Sequence, residues 1–353
     1  MNVLQYLHVK RLVMVLSLYG MSLMKILGLP VDDVFQANAS PNSLYFTVIG
    51  DWGGVMHSPY TSAVEVAVAK AMGDVADLFQ SEFTVSLGDN FYEYGVQGVD
   101  DPRFKRTFED VFTAESLQNP WYILPGNHDY YGNVNAQVEY SSKSERWVFP
   151  SLYHSHRFTL PESRTTLLLV LIDTVMLCGI PQDNIPGVAL TGPLEEDKAT
   201  QQWQWIENTL NTSSDDYIVV AGHYPVWSIG ENGPTEVLAE ILNPILEKYE
   251  VTAYLAGHDH SLQHLREDNS SVEHFIIGSA RLVDPSTVHQ HAVPDNALKY
   301  HYAEKESLGG FAAVEVGPRH ATLTFVDATS GKELYRHDLF PRGTSLRASH
   351  GKP

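Results

Sequence analysis

Five times in this chain an apolar run of strand length ends in glycine, and the next residue carries an oxygen or imidazole donor. Asp51 follows "TVIG", Asp89 follows "VSLG", Asn127 follows "ILPG", His223 follows "VVAG" and His258 follows "YLAG". One such junction is ordinary strand punctuation. Five, all with donors that suit a metal ion, point to a single centre where several strands run out. Open α/β sheets gather ligands in this way, in the crevice outside the carboxyl ends of their strands.

The segments between these junctions fit that architecture. "LYFTVIGD", "FTVSLGD", "WYILPGN", "TTLLLVLID", "YIVVAGH" and "TAYLAGH" read as six strands. After the first, Ser58-Pro59 reads as an N-cap followed by proline at the first helical position. Val64, Val68, Ala71, Val75 and Phe79 then form an amphipathic stripe. "FKRTFEDVF" reads as a second helix, and another carries Trp203, Ile206 and Leu210 on one face. The helix after Pro234 is expected to break and restart at Asn243-Pro244. The alternation predicts a largely parallel sheet fed by crossover helices. From "EHFIIGSA" onward, "GFAAVEV", "ATLTFVD" and "KELYRHDL" come without helices between them and are expected to pair antiparallel in a second layer.

Composition narrows the function. Across 353 residues, 43% are hydrophobic and 19% charged, which is globular, and the formal net charge is −20. That balance, with no basic run, argues against nucleic acid or an anionic membrane as a partner. A single cysteine, Cys178, excludes an intramolecular disulfide. It lies in "VMLCG" with no histidine motif beside it, so it reads as structural rather than nucleophilic.

Residues 1–39 read as a secretory signal peptide: Lys10 and Arg11 precede an apolar stretch, and Ala37-Asn38-Ala39 fits small-x-small cleavage. A retained anchor or a misassigned start codon are the alternatives. The expected organisation is this leader, one domain over 40–342, and a polar tail over 343–353, with no later stretch apolar enough to span a bilayer. Sequons stand at Asn38, Asn211 and Asn269, and the latter two lie in polar turn sequence suited to glycans in a secreted protein.

In "LAGHDHSLQHL", His258 and His260 flank Asp259 just past a strand. From the local sequence alone the two imidazoles can converge on one ion or straddle two.

The motifs "GDWGG" (50–54), "GDNFYEYG" (88–95), "GNHD" (126–129), "AGHYPVWS" (221–228) and "AGHDH" (256–260) resemble, in order, those of the purple acid phosphatases within the metallophosphoesterases, most closely the small tartrate-resistant type. The likeness runs from Leu44 to about Phe340, and Tyr92, three residues past Asp89, is its most specific element. The resemblance implies a two-layer mixed β-sandwich flanked by helices, forming a single catalytic α/β domain. It implies Fe(III) held by Asp51, Asp89, Tyr92 and His260, and Fe(II) or Zn(II) held by Asp89, Asn127, His223 and His258, so that the two histidines straddle two ions bridged by Asp89. Carboxylate, amide, phenolate and imidazole donors suit iron or zinc, and a phenolate on ferric iron colours a protein purple.

The implied reaction is hydrolysis of phosphate monoesters, small or on phosphoproteins, at acidic pH. A metal-bound hydroxide attacks in line at the binuclear centre. His128 is the implied phosphate contact and proton donor, with Asp129 placed to orient it, and Asn127 and Asn232 complete the substrate contacts. The chain departs from the family at "GENGPT", where Asn232 replaces a histidine. It departs again at Val237, where mammalian relatives have the cysteine that pairs with the counterpart of Cys178. The segment "CGIPQDNIPGVALTGPLEEDKAT" corresponds to the family's repression loop, either a regulatory cleavage site or a solvated acidic connector. His57, His154, His156, His264, His289 and His291 lack ligand spacing and are assigned to surface or core. Secretory or lysosomal targeting follows from the leader. Two rival functions remain: an iron-binding or transport protein with incidental phosphatase activity, and a zinc or manganese phosphodiesterase of the wider superfamily.

Overall fold

The computed structural model describes residues 40–181 and 189–343. The expected leader, Asn38, the middle of the 178–200 loop and residues 344–353 of the polar tail lie outside the described residues.

Fourteen strands form two seven-stranded sheets among these residues. In chain order they are β1 (Leu44–Ile49), β2 (Phe83–Ser86), β3 (Trp121–Ile123), β4 (Trp147–Val148), β5 (His154–Thr159), β6 (Thr166–Leu171), β7 (Tyr217–Ala221), β8 (Ala253–Ala256), β9 (Leu262–Leu265), β10 (Glu273–Ile277), β11 (Leu298–Tyr302), β12 (Gly310–Val316), β13 (Ala321–Asp327) and β14 (Glu333–Leu339). One sheet runs β14-β13-β12-β1-β2-β3-β4 and the other β11-β9-β10-β8-β7-β6-β5. The six strands read from the sequence thus do not share one parallel sheet. β1, β2 and β3 make a parallel block in the first, and β6, β7 and β8 make another in the second. β10 pairs antiparallel with β9, as expected, and parallel with β8 on its other side. β12, β13 and β14 are antiparallel as expected, but they extend the sheet of β1 and do not join β10 in a separate layer. The "GFAAVEV" strand β12 does pair antiparallel, with β1.

The strands read as unbroken apolar runs because both faces are covered. Leu167, Leu169 and Leu171 of β6 point into a core shared with Phe46, Val85, Leu255, Phe275 and Val314 from both sheets. Leu168 and Val170 point the other way, toward Ile206, Leu210, Leu242 and Leu246 of the covering helices. The mixed β-sandwich flanked by helices is therefore observed.

Local chemistry moves two helix boundaries. The helix Ala63–Phe79 is capped by Ser62, not Ser58: the Ser62 hydroxyl accepts from the Glu65 N–H, and Glu65 accepts in turn from the Ser62 N–H. Two orphan backbone donors are satisfied at once, which a proline at residue 59 does not do. Past Pro234 the helix does not break. A wide turn over Leu238–Leu242 runs directly into Asn243–Lys248, so the missing N–H of Pro244 is absorbed by a change of winding.

Candidate active site

The ligand residues converge because the strand ends of both sheets face each other. Asp51 follows β1 and Asp89 follows β2 in the first sheet, while His223 follows β7 and His258 follows β8 in the second. Asp51, Asp89 and His258 each adopt positive φ, at 56°, 51° and 70°. The left-handed backbone costs energy for a residue with a side chain, and clustering of such strain marks a functional site. It turns three donors inward at the points where regular pairing stops.

The preceding glycines make room for them. A Cβ on Gly126 would stand 2.2 Å from Asp89 Oδ1, and one on Gly257 would stand 2.3 Å from Asp51 Oδ2. At Gly126 and Gly257 the glycine of the strand-end junction is thus a packing requirement of a carboxylate from another strand end.

The geometry brings together all seven expected ligands in two overlapping groups. The Tyr92 hydroxyl lies 3.1 Å from Asp51 Oδ1 and 3.1 Å from His260 Nε2. His260 Nε2 is 3.6 Å from Asp51 Oδ1. On the other side His223 Nε2 lies 3.0 Å from Asn127 Oδ1 and 3.4 Å from Asp89 Oδ1, and its Nδ1–H donates to the Leu87 carbonyl at 2.8 Å. That last bond fixes the tautomer and leaves Nε2 as the donor toward the site. The His258 ring stands 5.0 Å from that of His223. Asp51, Asp89 and His223 offer atoms within 4.8 Å of one another.

Electrostatics set a test of whether cations belong here. Burial and the Asp51 and Asp89 carboxylates push the Tyr92 phenol well above its usual range. Burial works against the Asp89 carboxylate too, but the facing His223 and His128 imidazoles hold it well below that of an ordinary aspartate. Burial likewise opposes a charged His223, which Asp89 nonetheless drives up to about 9. Burial and the charge of His223 hold His258 well below the normal imidazole range. Anionic oxygens, a phenol and imidazole lone pairs therefore share one nearly water-free space. Protons compensate these donors only in part, and cations would satisfy them fully. Oxygen and imidazole donors without thiolate fit iron or zinc.

Around this centre the structure departs from some expectations. Asp129 does not orient His128. Its buried carboxylate accepts from the N–H groups of Gly126, Asn90 and Phe91 and from Gln137 Nε2. The His128 ring is held instead by the Glu93 carbonyl, 2.7 Å from Nδ1, and its backbone N–H donates to Asp89 Oδ1 at 2.9 Å. Asn232 lies at the site, but its Nδ2 donates to Asp259 Oδ1 at 3.0 Å and to the His258 carbonyl at 3.2 Å. Bonding a phosphoryl oxygen would take one of these away. Cys178 is buried and free, and burial raises its thiol above the normal range, which suits a structural residue.

Sequence reasoning missed Arg281. Its guanidinium sits 4.1 Å from the Tyr92 ring centroid and is tied to Glu93 at 2.6 Å and to the Gly54 carbonyl at 2.6 Å. Nothing in the local sequence marks it. It also missed a second buried group, in which His264 and His337 flank Glu273 at 2.7 and 3.1 Å. His264 belongs to the core as expected, and Arg266, 3.1 Å from Glu273, completes a charge-compensated cluster.

This fold, with a carboxylate–imidazole centre at the strand ends, defines a metallophosphoesterase. Calcineurin-like phosphoesterases match over residues 44–262. Tartrate-resistant acid phosphatase type 5 of Oryctolagus cuniculus is 47% identical over 304 residues, covering 86% of this chain and 93% of that protein. The Homo sapiens protein of the same name is 44% identical over 304 residues, with the same coverage of 86% and 93%. Purple acid phosphatase 4 of Arabidopsis thaliana is 32% identical, over 84% of this chain and 83% of its own. The chain belongs to the calcineurin-like phosphoesterases, in the branch of the purple, tartrate-resistant acid phosphatases. Among solved structures, the GAP50 anchor of the Plasmodium inner membrane complex shares the fold at a TM-score of 0.72, with 24% identity and coverage of 85% of this chain and 89% of that one.

Proposed function

We propose that the chain is an acid phosphatase that hydrolyses phosphate monoesters at a binuclear Fe(III)–M(II) centre. Asp51, Asp89, Tyr92 and His260 would hold the ferric ion. Asp89, Asn127, His223 and His258 would hold Fe(II) or Zn(II). The observation that carries the iron reading is the Tyr92 hydroxyl, equidistant from Asp51 Oδ1 and His260 Nε2 at 3.1 Å. It also disfavours a zinc or manganese phosphodiesterase, which has no use for a phenolate. Bound there, two cations supply Lewis acidity toward the phosphoryl oxygens and a water acidified enough to act as nucleophile.

The chain's own groups do the rest. Asp89, fixed by the His128 N–H, presents its carboxylate to both ligand groups. His128 donates Nδ1–H to the Glu93 carbonyl, so only Nε2 faces the pocket, 3.9 Å from Asp89 Oδ2. Nε2 is thus the His128 atom placed to pass a proton to the leaving oxygen. Asn232 supports this wall through Asp259 and cannot supply a proton.

A secretory or lysosomal location belongs to the same proposal, supported by the leader sequence. Glycans at Asn211 and Asn269 agree with it, since both side chains are exposed.

Metal analysis with visible spectroscopy, followed by turnover of an aryl phosphate and an aryl phosphodiester at acidic pH, tests the reading. Two metals per chain including iron, a purple band and monoester turnover are expected. A colourless ferric protein overturns the tyrosinate, and metal binding without turnover favours the iron-carrier reading.

A further inference from the structure

Beside the metal site lies a second, larger cavity of about 310 Å³. Its walls include Cys178, Leu190, Tyr224, Pro234 and Val237. It adjoins the smaller pocket of about 80 Å³ that contains Asp89, Asn127, His128 and His260. Asn232 and His258 line both. We infer that this cavity is the leaving-group site, and that the substrate class is monoesters of apolar, aromatic-sized alcohols or phenols. The inference rests on the phosphatase reading above and adds to it the chemistry of the ester's organic half.

Three observations carry it. The first is continuity: one ester can place its phosphoryl group against the ligand cluster and its organic half beyond Asn232, with the bridging oxygen between. The second is wall chemistry. Among the described lining residues no Lys or Arg appears, and the ionisable side chains are Glu236, His289, His258, Tyr224 and the buried Cys178. A second phosphate or a carboxylate would find no cationic partner, whereas an apolar group would lose little on leaving water. The size matches the lower range of small-molecule pockets, on the order of 300–1,000 Å³.

The third is rigidity. The Tyr224 hydroxyl donates to the Gly179 carbonyl at 3.0 Å, and its own carbonyl accepts from Tyr254 at 2.7 Å. The contacts that hold the segment carrying Asn232 include its backbone N–H, which donates to Asp259 Oδ1 at 2.8 Å, and His289 Nδ1–H, which donates to the Gly230 carbonyl at 2.8 Å. A pre-formed pocket selects by shape instead of adapting to each ester. Cys178 and Val237 both line it, and no covalent bridge joins their segments.

Phenyl phosphate and 4-tert-butylphenyl phosphate carry phenols of nearly equal acidity and differ in apolar bulk. In the metal-loaded full chain the tert-butyl ester should show a kcat/KM roughly tenfold higher, within the range a few apolar carbons give in a fitted pocket. Val237→Trp and, separately, Leu190→Trp should bring the ratio toward one while leaving inhibition by inorganic phosphate unchanged, because phosphate occupies only the ligand cluster. The inference is overturned if the wild-type ratio is near one, or if both tryptophan variants keep the tenfold preference. Failure to turn over either ester with two metals bound would bring down the phosphatase reading and this inference with it.

Discussion

The backbone N–H of His258, just past β8 of one sheet, donates to both carboxylate oxygens of Asp51, just past β1 of the other, at 3.1 and 2.9 Å. This bond joins the two sheets at the point where their ligands meet. It forces His258 into a left-handed backbone at φ 70° and requires Gly257 to lie under Asp51.

Gly257→Ala tests that relationship. The new Cβ would stand 2.3 Å from Asp51 Oδ2, so the carboxylate must move. We expect a folded protein whose metal affinity falls on the order of 10–100-fold, as for other residues that orient a ligand. Metal content after dialysis against a weak chelator measures it, and full retention of both ions would contradict the expectation.

Tyr92→Phe removes one hydroxyl from a buried site. The visible band should vanish, while stability should change by only about 1 kcal/mol, the scale of a single hydrogen bond. A spectrum that survives the substitution would place the chromophore elsewhere.

Asn232→His restores an imidazole beside the leaving oxygen. Alkyl phosphates, whose alkoxides leave poorly, should gain up to roughly tenfold in kcat/KM, part of the range of about 10²–10⁴ that general acids provide. Activated aryl phosphates should change little. Equal effects on both esters would show that this position only places the phosphate.

His274 of β10 is buried, with no partner for either ring nitrogen. Burial holds its pKa down to about 3, from an ordinary value of 6.5. The unfolded chain therefore takes up this proton first as pH falls, and stability drops from about pH 6.5 downward until the folded ring titrates near 3. Between about pH 7 and about pH 5 the loss from this one group is about 2 kcal/mol. His274→Leu should remove most of that difference in denaturant midpoints at the two pH values. An unchanged pH dependence would mean that the folded ring ionises normally.

The cluster of donor side chains was legible because each donor except Tyr92 and His260 immediately follows a strand-ending glycine, and those two lie within three residues of one that does. The partners of His128 were not legible. Asp129 stands next to it in the chain, yet its carboxylate serves the buried N–H groups of Gly126, Asn90 and Phe91, and a carbonyl thirty-five residues away holds the ring. Backbone carbonyls look alike at every position, so no residue type could announce that one. Arg281 was missed for a similar reason: its contact with Tyr92 spans most of the domain.

By itself the sequence determined ten of the fourteen strands, the main helices though not their exact ends, and the residue types of the donors, since these depend on local periodicity, on glycine and on side-chain chemistry. β4, β5, β9 and β11 carried no such local mark. Tertiary structure alone decided how the strands divide between sheets. A strand covered on both faces is apolar throughout, so β3 and β6 carry no mark of different membership, and only long-range pairing separates them. The same pairing sets Asp51 against His258, stacks Arg281 on Tyr92 and opens the cavity beside Asn232. Each depends on where two distant backbones approach, a quantity that no local pattern of residues encodes.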